Sequence, residues 1–166
     1  MHYFFVRKIN GDWHKIAVQI FTLVVAMHFL EHLFQVYQLY FLHWSRKESL
    51  GFLGLFYPWL IHTEWLHYGH ALFMLLGIAT LAPAINGRAR FWWQLTFILA
   101  FYHHFEHALL LGQSLIHKNL FNSPVPTSIG QLYFPRIELH FAYNLIVLVP
   151  MLVALSMHRY PQKLNG

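Results

Sequence analysis

The sequence predicts an all-α integral membrane protein: one transmembrane domain, residues 1–166, folded as a four-transmembrane-helix bundle of two helical hairpins repeated in parallel. Three observations predict it. The 166-residue chain is 57% hydrophobic and only 10% charged, against about 25% charged in a soluble domain. Its apolar residues gather into four runs, each at least as long as the roughly 20 residues that cross a bilayer. And the pattern His-x-x-Glu-His occurs twice, at His28-Phe-Leu-Glu31-His32 and His103-His104-Phe-Glu106-His107, each time inside such a run.

The first run covers about 16–43. It carries the first motif and lacks a small-x-small cleavage site, so it reads as a retained helix and not a signal peptide. Ser45-Arg46-Lys47-Glu48-Ser49 ends it. The second covers about 57–83, with Pro58 just inside its start, where proline's missing N–H is harmless. Pro83, Asn86 and Gly87 close it, and the third run, about 90–116, carries the second motif. The longest break follows, 118–135, with Pro124 and Pro126. The fourth run, about 136–158, begins after Pro135. Trp13, Trp44, Trp59, Trp92 and Trp93 fall near the ends of the runs, as an aromatic belt does.

Charge assigns the sides. Arg7, Lys8, Lys15, Arg88, Arg90, Arg159 and Lys163 share one side, and Arg46, Lys47, Lys118 and Arg136 the other. The positive-inside rule then puts both termini in the cytoplasm. No span carries a basic stripe, which argues against nucleic acid. The absence of cysteine excludes disulfides, thiolate metal sites and cysteine nucleophiles.

Aligning His28 with His103 also matches Glu31 with Glu106, His32 with His107 and Gln38 with Gln113. The second and fourth runs match more loosely: Glu64 with Glu138, His67 with His140, and His70 opposite Asn144. Of the five glutamates and one aspartate, Asp12 and Glu48 lie outside the runs, leaving one glutamate per helix. Burying acids and imidazoles in hydrocarbon costs several kcal/mol per charge, so such groups ordinarily serve a function.

Residues three and four apart share a helix face. His28, Glu31 and His32 form one stripe, His103, Glu106 and His107 its copy, and Glu64 and His67 a third with His70 at its edge. On the last helix Glu138, His140 and Asn144 compete for the inside. These groups lie between mid-membrane and the non-cytoplasmic side. His43, His62, His104, His117 and His158 are expected to pack or hydrogen-bond, and His2 and His14 to sit in solvent or among headgroups.

Four carboxylates and six or more imidazoles in a bundle predict a dinuclear metal site with His28, Glu31, His32, Glu64, His67, His70, His103, Glu106, His107, Glu138 and His140 as ligands. The mix of hard oxygen and neutral nitrogen points first to two iron ions, with zinc, manganese and copper as other candidates. Soluble di-iron bundles pair Glu with Glu-x-x-His, and Glu64-Trp-Leu-His67 has that spacing. The clusters His28-x-x-x-His32, His67-x-x-His70 and His103-His104-x-x-His107 are similar in kind to those of the histidine-box membrane hydroxylases and desaturases. That resemblance is limited to the clusters. It implies an oxidoreductase acting with dioxygen on a lipophilic substrate from the bilayer, with electrons from a donor protein or a larger membrane complex. Three rivals stand beside it. Histidines on facing helices could ligate haem, in an electron-transfer subunit. Intramembrane acids and histidines could form a metal or proton transport path. His-x-x-Glu-His is also the inverted zinc-peptidase motif, the weakest of the three. Glutamates and histidines could also simply hold the bundle together by hydrogen bonds.

Overall fold

In the computed structural model, which describes residues 2–159, the elements are helices α1 (His2–Ile9), α2 (His14–Tyr40), α3 (Gly51–Phe56), α4 (Pro58–Ile61), α5 (Glu64–Leu81), α6 (Arg88–Ile116) and α7 (Arg136–Met157). No strand forms among the described residues. Lys163 lies outside them, and so does the side chain of His2. The four long helices, α2, α5, α6 and α7, follow the four apolar runs. Helix α6 packs along both α5 and α7, and α2 packs on α7 and, less extensively, on α5.

Three of these helices, α2, α5 and α7, are long and apolar enough to cross a membrane. Helix α6 is longer still at 29 residues, but Gln94, His103, His104, Glu106, His107 and Gln113 dilute its apolar character. Exposed Ile20, Leu23, Leu76, Ile98, Phe101 and Ile146 cover the outside of the bundle. A surface this apolar is unusual for a water-soluble monomer and suits lipid.

The bundle divides along its length. The half nearer the chain termini is a dry core: Val18, Phe21, Val25, Met74, Ile78, Trp93, Val147 and Met151 are all at most 5% exposed. Gly77 lets the Phe21 ring lie against the α5 backbone, where any side chain would collide. Trp93 donates its indole N–H to the Ile78 carbonyl at 2.9 Å, so its polar atom is satisfied inside the core. Asn10 ties the start of the chain to this end through the Thr80 carbonyl (2.8 Å) and the Ala84 N–H (3.2 Å). His14, expected at the headgroups, is instead fully buried, with its ring nitrogen 2.9 Å from that of His158. This pair joins the first long helix to the end of the last.

The opposite half is polar and lies under two loops, 41–63 and 117–135. The first loop is more structured than the composition suggests, because it folds into α3 and α4. Pro58 therefore starts α4, not the second span. The second span starts at Glu64, where the Thr63 hydroxyl caps the helix by accepting the Leu66 N–H at 3.3 Å. A threonine at that position satisfies a backbone donor that the helix itself cannot.

A candidate metal centre built from histidines

Seven histidines from all four long helices meet in the polar half. His28 and His32 are on α2, His67 and His70 on α5, His103 and His107 on α6, and His140 on α7. His32, His67, His103, His107 and His140 are each at most 9% exposed.

The rings obey an approximate two-fold relation between the hairpins α2/α5 and α6/α7. His28 and His32 have ring centres 4.6 Å apart at 83°, and His103 and His107 have theirs 4.6 Å apart at 81°. Across the axis His32 stacks on His140 at 5.9 Å, and His67 stacks on His107 at 5.8 Å. His67 and His140 face one another at 5.8 Å. Each of these two also sets its Nδ1 against the carbonyl four residues earlier, Thr63 at 3.2 Å and Arg136 at 2.9 Å. The two helices therefore correspond with an offset of 73 throughout this region. The looser offset of 74, suggested by Glu64 and Glu138, reflects chemistry common to both helix starts and not register. At offset 73 the counterpart of His70 is Tyr143. The contacts agree: His70 stacks on His28 at 3.5 Å, and Tyr143 packs on His103 at 5.6 Å. Asn144 instead donates to the His140 carbonyl at 2.8 Å.

The expected mixed shell of carboxylate and imidazole separates into two layers. None of the four glutamates is paired with a cluster histidine. Glu31 accepts the Leu53 N–H at 2.7 Å and lies against Gly51, tying α3 to α2. Glu106 lies beside Ser128 of the 117–135 loop and has a buried oxygen with no partner. Arg136 donates to both oxygens of Glu64 at 2.7 Å. Glu138 accepts from Tyr40 and from Arg46, both at 2.6 Å. Helical geometry accounts for the separation: at roughly 100° per residue, Glu31 and Glu106 point well to one side of His32 and His107.

The glutamines follow the same plan. Gln38 accepts the Gly51 N–H at 2.8 Å and donates to the Gly51 carbonyl at 3.3 Å. Gln113 accepts from Leu120 and Thr127 at 2.8 and 3.1 Å and donates to the Thr127 carbonyl at 3.0 Å. Each motif thus contributes two histidines to the interior, with a glutamate turned to the loop following its helix and a glutamine that fastens that loop. Gln35 does belong to the cluster, with its side-chain oxygen 2.9 Å from Nδ1 of His32.

The rings stop short of a closed coordination sphere. Among the described residues no three histidine or carboxylate side chains are poised together as metal ligands. The nearest nitrogens are Nε2 of His28 and Nε2 of His32, 3.0 Å apart. Two nitrogens on one ion, at bonds of about 2.1 Å, are roughly 3.0–3.4 Å apart. His70 Nε2, His103 Nδ1, His107 Nδ1 and His140 Nε2 are buried without a hydrogen-bond partner. A buried polar atom left unpaired costs about 1–3 kcal/mol, so this cluster asks for a ligand. His104 lies apart, against Tyr68 at 5.2 Å, and its Nδ1 is likewise buried without a hydrogen-bond partner.

No family model, no curated protein and no solved structure matches this chain.

Proposed function

We propose that the protein is a membrane-embedded metalloprotein with an imidazole-ligated dinuclear centre. His28, His32, His67 and His70 would form one half, and His103, His107 and His140 the other. The observation that carries this is the two-fold cluster with four buried, unpartnered ring nitrogens. Imidazole ligands suit copper, iron and zinc. Removing the carboxylates from the shell weakens the particular case for iron and leaves copper and iron as the redox candidates. We take the reaction class to be oxidation by dioxygen, with electrons from a partner.

The same reading makes α6 the fourth transmembrane helix, since it packs between two helices apolar enough to span and is ~43 Å long at 1.5 Å per residue. Both termini would then be cytoplasmic.

The geometry gives less support to the zinc-peptidase rival. The inverted peptidase motif needs its glutamate beside the metal, and Glu31 and Glu106 are turned to loops.

Elemental analysis with an absorption spectrum tests the proposal on detergent-purified protein. About two copper or iron ions per chain are expected. His32→Ala and His107→Ala should each lose about one, and Glu31→Gln and Glu106→Gln should retain both. Metal-free protein, or metal content indifferent to the histidine variants, would overturn it. Zinc alone would overturn the redox part.

A further inference from the structure

Two concavities border the polar half, and they differ in what they reach. One, of about 590 Å³, is an apolar groove along Met27, Leu30, Phe34, Tyr37 and Phe52, with Glu31 at its wall. It runs along the outward stripe of α2 and includes none of the cluster histidines. The other, of about 230 Å³, mixes polar side chains with Leu50, Ile61 and Ile137. It lies between the 41–63 loop and the start of α7, and Arg46, Lys47, His62, Arg136, Gln35 and His67 line it. His67 belongs to the cluster, and Gln35 is bonded to His32. This cavity, not the groove, is the one that reaches the imidazoles.

Its charge is asymmetric. Arg46 pairs with Glu138 and Arg136 with Glu64. Each arginine's charge is offset by its carboxylate, so Lys47 supplies the net positive charge of the lining. Glu48, the other acid of this loop, is turned back onto the Ser45 hydroxyl at 2.7 Å and the Ser45 N–H at 3.1 Å. Cations on a cleft with low-dielectric walls focus the field and concentrate anions. Its volume is below the roughly 300–1,000 Å³ of drug-sized ligand sites, so its occupant is small.

We infer that this cavity is an anion vestibule, through which a small water-borne anion, of the size of a carboxylate or pseudohalide, reaches the histidine cluster at His67 from the loop side. This deepens the proposed function and rests on it for the final step, ligation at the cluster.

Two arms separate failure of the vestibule from failure of the metal centre. In metal-free crystals soaked in bromide, an anomalous peak is expected among Arg46, Lys47 and Arg136, lost in Lys47→Glu. In metal-loaded protein in nanodiscs, azide is titrated against the metal's absorption. Lys47→Glu should weaken azide about tenfold, as expected for reversing one charge near a focused site, and leave nitric oxide, a neutral ligand, unchanged. Ile61→Trp, which fills the cavity, should slow azide binding severalfold without altering metal content. Azide binding unchanged in both variants overturns the vestibule, as does bromide bound equally in wild type and Lys47→Glu (an adventitious ion only). Lack of metal overturns the centre, and the bromide arm then decides the vestibule alone.

Discussion

The hairpin of α2 and α5 supplies His28, His32, His67 and His70, and that of α6 and α7 supplies His103, His107, His140 and Tyr143. Across the pseudo-axis the stacks match at 5.9 and 5.8 Å, while within the hairpins His32 stands 6.4 Å from His67 and His107 only 5.0 Å from His140. Away from the axis they also diverge. His70 stacks on His28 at 3.5 Å, whereas Tyr143 stands 5.6 Å from His103. The loops diverge further: 41–63 folds into two short helices, and 117–135 has only single 3₁₀ turns. The centre tolerates little change because each inner ring packs against several others, while the periphery answers only to its own loop. The same glutamine therefore does different amounts of work in each half. Gln38 holds one residue, Gly51, whereas Gln113 holds Leu120 and Thr127 and so gathers a loop with little structure of its own.

That contrast gives the largest expected effect. Gln113→Leu leaves two backbone N–H groups and a carbonyl without their partner and should destabilise the protein by about 3 kcal/mol, at about 1–3 kcal/mol for each group that stays buried. Gln38→Leu strips one residue and should cost about 2 kcal/mol. Thermal unfolding in detergent, compared pairwise, checks the order. Equal losses would mean that the two loops are held alike.

Gly51 has no counterpart in the second hairpin. Its φ of +82° is a conformation that costs an L-residue roughly 1–2 kcal/mol, and a Cβ there would collide with the Glu31 carboxylate. Gly51→Ala should therefore cost about 2 kcal/mol and release α3 from α2. Gly112→Ala on α6, where a Cβ meets nothing within 4 Å, should instead stabilise by about 0.5–1 kcal/mol, the helix-propensity gain of alanine over glycine. Proteolysis of the 41–63 loop reads the release directly. A Gly51→Ala loop as resistant as wild type would remove Glu31 from its fastening role.

The long helices and the histidines at their centre were legible because they follow from period and hydropathy. His28/His32 and His103/His107 share a face at four-residue spacing whatever the rest of the chain does. The glutamates were not legible. Glu31 reads as part of the stripe, yet it lies at its edge, and the competing partner is a backbone N–H 22 residues away at Leu53, which no local pattern reveals. Glu64 and Glu138 were likewise assigned inward, but Arg136 and Arg46, read as topology signals, are their counter-ions. Tyr143 was missed because the glutamates suggested the wrong register for α5 and α7. The signal that finds it is the pairing of His67 with His140 at offset 73, carried one turn further.

Tyr143→His tests that register with the smallest expected change in stability. It would place an imidazole where the first hairpin has His70, giving both halves four. The substitution gives up the packing of the Tyr143 hydroxyl against Gly130, where a Cβ would come within 2.9 Å of it, and part of its edge contact with Tyr102 at 6.0 Å. A loss of about 1 kcal/mol follows, typical of a single substitution. Its effect on metal should be larger and in the opposite sense. In wild type the seven-histidine centre should load in two unequal steps, the tighter in the half that holds His70. Tyr143→His should draw the two steps together by strengthening the weaker, and His70→Tyr should draw them together by weakening the tighter. Competition titration against a chelator measures both steps. If Tyr143→His leaves the weaker step unmoved while Asn144→His strengthens it, the offset of 74 is right for this turn, and the two-fold relation ends at His140.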